Sequence, residues 1–213
     1  MKTQKIISFI NTRKLSVIAL AIILFLAPGL IAAKPVQTTT TNNPLNQIMT
    51  ILGPKIVFLT SQTFTGNLGG IQGADKKCQD AAKAAGLAGT FFAWVSTDVS
   101  QPGTRFLTFS LGPYILAGGS TLAGNYGDLT DGSLNEPIAR NENGEFVGSE
   151  LVWTATYPSG TGEFASITCE NWTSDSSGVD GSVGSNNATD GDWTDFSSTI
   201  PCNTLNHLYC FQQ

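Results

Sequence analysis

Gly69-Gly-Ile-Gln-Gly-Ala-Asp-Lys-Lys-Cys-Gln-Asp-Ala-Ala-Lys-Ala-Ala-Gly-Leu-Ala-Gly-Thr-Phe-Phe-Ala-Trp-Val-Ser-Thr97 joins a small-residue helix to an aromatic strand, and the rest of the chain is organised around it. Ala74, Cys78, Ala81, Ala82 and Ala85 recur at the spacing of one helical face, whereas Lys76, Lys77, Asp80 and Lys83 fall elsewhere. Cys78 therefore points inward. Gly73 before the run, Asp75 in its first turn and Gly86 after Ala85 predict a helix over 73–85, with an acid at the positive end of the dipole and a left-handed residue at the close. An alanine face lets a sheet approach the helix axis, and Thr90–Thr97 has the aromatic and β-branched content of a strand.

Working outward, Lys55–Thr60 reads as the first strand, Leu151–Thr154 and Phe164–Trp172 as later ones, and His207–Phe211 as the last. Glycine-, proline- and asparagine-rich turns break 98–149 into short apolar pieces such as Phe106–Phe109 and Tyr114–Ala117. Thr173–Asp192 is almost bare of large apolar residues and is expected to be a long surface loop. About 160 residues from Lys55 to Gln213 suit one domain with a real core.

Upstream, Lys2, Lys5, Arg13 and Lys14 precede the apolar run Leu15–Leu26, a Pro28-Gly29 break and the small pair Ala32-Ala33. Residues 1–33 are thus expected to be a signal peptide, the alternative being an uncleaved anchor helix, and 34–54, rich in Thr, Asn and Pro, a linker. Without 1–33 the chain keeps seven Lys and Arg against sixteen Asp and Glu, a formal net of −9. Lys76-Lys77 is then the only basic cluster, which disfavours nucleic acid and sulfated polyanions as partners. Cys78, Cys169, Cys202 and Cys210 all follow the leader; four cysteines in an exported chain imply two disulfides, with three connectivities open. Without CxxC spacing, and with His207 the only histidine, a zinc site is disfavoured.

Gly66, Gly69, Gly70 and Gly73 lie between a strand and a helix, but a GxGxxG ending at Gly73 needs glycine at Leu68 and no GK[ST] follows, so no phosphate loop is expected. No GxSxG surrounds a serine, and the lone His207 beside a core strand reads as a packing residue; no enzyme activity is expected. Asn171-Trp-Thr and Asn187-Ala-Thr match the glycosylation sequon and read as chance in so Ser-, Thr- and Asn-rich a chain.

Three stretches carry a resemblance. The 69–97 segment resembles the helix-and-strand segment of endostatin, the C-terminal fragment of collagens XV and XVIII; Cys169-Glu-Asn-Trp-Thr resembles the segment around its second cysteine, and Leu208-Tyr-Cys-Phe its closing strand. With the leader, the chain looks like a bacterial secreted protein carrying such a domain, of unknown function, over 55–213. The resemblance implies an α+β, C-type-lectin-like fold: a twisted antiparallel sheet, one main helix, long loops, and disulfides Cys78–Cys210 and Cys169–Cys202. The family's heparin-binding arginine cluster and zinc-binding histidines do not carry over, since Arg105 and Arg140 are the only arginines after the leader and His207 stands alone.

C-type lectins hold a sugar-bridging Ca²⁺ with a Glu-Pro-Asn or similar triplet and a Trp-Asn-Asp triplet. Glu136-Pro137-Ile138 and Trp193-Thr194-Asp195 occur in that order here, each without the Asn. Asp190, Asp192 and Asp195 could join Glu136 as oxygen donors, and Ca²⁺ wants six to eight of these. The candidate ligand-binding residues are thus Trp172, Trp193, Asp190, Asp192, Asp195 and Glu136, the tryptophans as a stacking face. The expected function is a secreted or surface-exposed binding or adhesion module, not an enzyme, that meets an extracellular protein or glycan through its long loops. Two alternatives are a calcium-dependent lectin and a structural envelope protein held by an uncleaved leader helix.

Overall fold

Glycines set both ends of the organising helix. In a computed structural model of the chain, described over residue 48, residues 51–163 and residues 167–213, α1 runs Gly70–Ala84. It begins three residues before the expected start because Gly69 and Gly70 take positive φ, 84° and 73°, and turn the chain into the helix early. At the other end Gly86 (φ 73°) donates to the Lys83 carbonyl and Leu87 to the Ala82 carbonyl, which closes the helix as a Schellman motif. Asp75 is consequently not in the first turn, and its carboxylate is used across the fold instead.

Five strands form the main sheet. β1 (Lys55–Leu59) lies at its centre, flanked by β8 (Tyr209–Gln212), which is antiparallel to it, and by β3 (Tyr114–Leu116), which is parallel. β2 (Phe91–Ala93) joins the far edge of β8, and β4 (Thr121–Ala123) that of β3. The sheet is therefore mixed rather than wholly antiparallel. A smaller antiparallel sheet has β6 (Asp180–Ser185) between β5 (Leu151–Trp153) and β7 (Thr199–Pro201). Single helical turns, α2 (Pro102–Arg105) and α3 (Tyr126–Leu129), sit in the long connections. The protein is thus mixed α+β, with two sheets, few helices and two disulfides.

Side-chain alternation along β1 and β8 divides the core. Val57, Leu59, Tyr209 and Phe211 point to one face, where Trp94, Phe106, Tyr114 and Trp193 build an aromatic cluster. Phe58, Leu208 and Cys210 point to the other, where Ala74, Cys78 and Ala82 of α1 pack against them. Two disulfides, Cys78–Cys210 and Cys169–Cys202, are formed, the pairs that the resemblance implies. The first ties α1 to the last strand; both fit an oxidising, extracytoplasmic compartment.

Two further expectations are overturned. Residues 180–185 of the expected surface loop are β6, the central strand of the small sheet, with Gly181–Asn186 buried. This strand lacks large side chains because its backbone lies against bulky neighbours: a Cβ on Gly184 would stand 2.1 Å from the Trp193 carbonyl oxygen, and one on Gly181 2.7 Å from Cys169 Sγ. Nor do residues 169–172 continue a strand. Cys169, Glu170, Asn171 and Trp172 have φ of 49°, 56°, 59° and 65°, a left-handed turn of four non-glycine residues, while 164–166 lie outside the described residues.

The signal peptide expected over 1–33 and almost all of the linker over 34–54 also lie outside the described residues. Where the linker's end is described, the Ile51 carbonyl accepts from the Leu111 and Gly112 amides. Among the described residues no helix is long and apolar enough to cross a membrane.

Candidate functional site

Indole groups are large apolar bodies with a single donor, so a buried one needs an acceptor. Trp172 Nε1 donates to the Ser96 carbonyl at 2.7 Å and Trp94 Nε1 to Thr194 Oγ1 at 2.7 Å. Thr194 Oγ1 donates in turn to the Thr156 carbonyl, and Thr154 Oγ1 to the Thr194 carbonyl. Ser96, Thr154, Thr156 and Thr194 thus form a buried hydroxyl knot between strand ends. Trp172 and Trp193 are both 0% exposed, so neither offers the stacking face expected of it. They are core residues, held there by the ring contacts Trp153–Trp172 and Trp94–Trp193.

The four candidate calcium ligands do not gather. Asp190 caps the short 3-10 turn Gly191–Trp193, its side chain accepting the Asp192 amide. Asp192 is exposed; Glu136 is half-buried on a neighbouring segment, where the Leu134 amide meets the Thr189 carbonyl. Asp195 lies instead beside Glu163. Among the described residues no group of three Asp, Glu, His or Cys side chains is placed to hold a metal ion.

Glu163 escaped the sequence reading. Burial pushes its carboxyl above the ordinary glutamate value, the neighbouring Asp195 adds to this, and the Ser182 hydroxyl, donating at 2.9 Å, works against it. Thirty-odd residues separate the two carboxylates, and nothing local links them. His207 is buried with Nδ1 2.6 Å from the Thr60 carbonyl, which ties the entry of β8 to the exit of β1.

No protein-family model matches this chain, and no curated protein matches it either.

Among the polar residues of the long connections, four large apolar side chains are displayed. Val99 is 89% exposed, Phe109 62%, Leu111 68% and Phe146 70%. The backbone beneath these side chains is pinned. Thr97 and Ser100 close the turn that carries Val99; Phe109 and Leu111 flank Ser110, whose amide meets the Leu107 carbonyl. Asn141 organises the hairpin that carries Phe146, its Oδ1 accepting from the Asn143 and Glu145 amides. The Arg140 guanidinium stands 5.7 Å from the Phe146 ring centroid, within cation–π range.

Proposed function

We propose that this chain is a secreted, non-enzymatic binding or adhesion module on an endostatin-like, C-type-lectin-like scaffold. It meets an extracellular protein or glycan through the connection from Asp98 to Ser149. The observation that carries this reading is the set of exposed apolar side chains, Val99, Phe109, Leu111 and Phe146, on loops whose backbones are already hydrogen-bonded. A preorganised apolar loop loses little entropy on binding, and such display marks contact surfaces. Support for the scaffold comes from the two disulfide pairs and from the alanine face of α1 packed on the main sheet. The lack of open indole faces favours a protein surface over a stacked sugar at these loops.

The test is binding of the purified, oxidised protein to arrays of extracellular proteins and of glycans, compared with the variants Phe109→Ser/Leu111→Ser and Phe146→Ser. These positions are exposed, so the variants keep the parent's melting temperature. Loss of binding by at least one of them supports the loop reading. Binding that is unchanged in both, or absent from both arrays, removes it.

A further inference from the structure

Apart from the exposed apolar side chains, a groove of about 310 Å³ lies between α1, the segment that follows β1 and Glu142, a size at the lower end of small-molecule sites. It exists because of α1's small residues. Lys77, Asp80, Ala81 and Ala84 form one stripe of the helix, and the two alanines leave open a space that longer side chains would fill. Gln62, Phe64 and Glu142 make up the facing wall.

That wall is rigid. The Thr60 hydroxyl donates to the Gln62 carbonyl at 2.7 Å, and Phe64 exchanges two backbone hydrogen bonds with Asn206. Glu142 is only 8% exposed, and both its carboxylate oxygens accept from Ser61, one from the amide at 2.8 Å and one from the hydroxyl. Ser61 supplies one donor to each oxygen, so the carboxyl group retains further acceptor lone pairs. Lys77 places its ammonium 4.9 Å from the Phe64 ring centroid, and neither the Lys76–Asp80 nor the Arg105–Asp75 ion pair includes it or Glu142.

The groove thus carries a strong acceptor and a strong donor that are not neutralised by each other. A cation drawn to Glu142 meets Lys77, and an anion drawn to Lys77 meets Glu142 and Asp80, the latter already paired with Lys76. A neutral polyol satisfies both, because each hydroxyl donates to carboxylate and accepts from ammonium or amide. Its C–H face can lie against Ala81, Ala84 and the edge of Phe64. A small zwitterion would also match the charges, but it must surrender the hydration of two ions and leaves that apolar floor without a partner. We propose that the groove between α1 and residues 60–64 is a metal-independent binding site for a neutral sugar ring, with Glu142 and Lys77 as its polar anchors. Glu142 belongs to the same connection as Val99, Phe109, Leu111 and Phe146, but none of these exposed apolar side chains lines the groove.

The experiment is a titration of the ¹⁵N-labelled protein, with EDTA present, by methyl α-mannoside, methyl β-galactoside and N-acetylglucosamine, and separately by alanine, methylammonium and acetate. The expected result is that at least one sugar shifts the Gln62, Phe64 and Glu142 amide signals with a Kd on the order of 1 mM. Ala84→Leu, at an exposed position where folding is undisturbed, fills the groove and weakens binding at least tenfold, and Lys77→Met weakens it as well. Phe109→Ser/Leu111→Ser leaves it unchanged, which separates this site from the loop reading. The proposal is overturned if no sugar shifts these signals, if alanine, methylammonium or acetate binds as tightly as the best sugar, or if binding survives Ala84→Leu.

Discussion

Arg105 reaches both carboxylate oxygens of Asp75, its Nη1 standing 3.0 Å from Oδ1 and 2.8 Å from Oδ2. Asp75 Oδ1 also accepts the Ala93 amide, and Arg105 Nη2 donates to the Ala93 carbonyl at 2.6 Å. One ion pair therefore joins α1, the end of β2 and the last residue of α2. Both side chains are mostly buried, at 13% and 20% exposure, so removal of one partner strands the other away from water. Arg105→Met is expected to lower stability by about 2 kcal/mol, the solvent access of the pair having been allowed for. Urea unfolding checks this; a midpoint within error of the parent's would mean that the pair contributes nothing.

Gly184 is the tightest point of β6. A Cβ there would stand 2.1 Å from the Trp193 carbonyl oxygen and 2.7 Å from its carbon, both backbone atoms that cannot swing aside. Gly184→Ala should cost about 3 kcal/mol through forced separation of β6 from the 3-10 turn. Gly178→Ala is the matched control, since its Cβ meets nothing nearer than Ser176 Oγ at 3.7 Å. Equal melting temperatures for the two variants would contradict the packing described.

The left-handed turn at 169–172 stores backbone strain, because an L-residue with a Cβ is disfavoured there. Glu170 is exposed with φ 56°, so Glu170→Gly should raise stability by about 0.5 kcal/mol once the greater freedom of the unfolded chain is set against the relief. Asn171→Gly is expected to gain nothing. Asparagine tolerates this conformation better, and its Oδ1 accepts the Asp98 amide, which glycine cannot replace. Thermal melts of the two variants distinguish these outcomes by sign.

Glu163 couples stability to pH. Its folded pKa is raised, chiefly by burial and further by Asp195, so the native state holds the proton more tightly than the unfolded chain does. The contribution is fully present below the ordinary glutamate value and is lost as pH rises through the raised folded value. Glu163→Gln should flatten that part of the stability curve and leave the protein more stable than the parent at neutral pH. Denaturant midpoints measured across the acidic range check this, and parallel curves for parent and variant would refute it.

Much of the fold was legible because its signals are local. The alanine period and Gly86 define the face and the end of α1 within one or two turns of sequence, and composition alone marks β1, β2 and β8. The start of α1 was misplaced by three residues, since Gly69 and Gly70 can adopt either sign of φ and only the neighbouring turn selects one. Residues 180–185 read as loop in the sequence for a related reason, although they form β6. Gly181 and Gly184 are small because Cys169 and Trp193 press on them, and those partners lie elsewhere in the chain.

The sequence by itself determined an even set of cysteines, an acidic chain with little basic clustering beyond Lys76-Lys77 after residue 33, and a helix that turns Cys78 and its alanines inward. These follow from composition and from a period of a few residues. Only the tertiary structure decided that Trp172 and Trp193 are core rather than surface, that Asp75 serves Arg105, that Asp195 meets Glu163, and that Glu142 and Lys77 face one groove. Each of these depends on which distant backbone comes within a few ångströms. Burial and charge are set by all the neighbours at once, and neither has a period that a sequence can display.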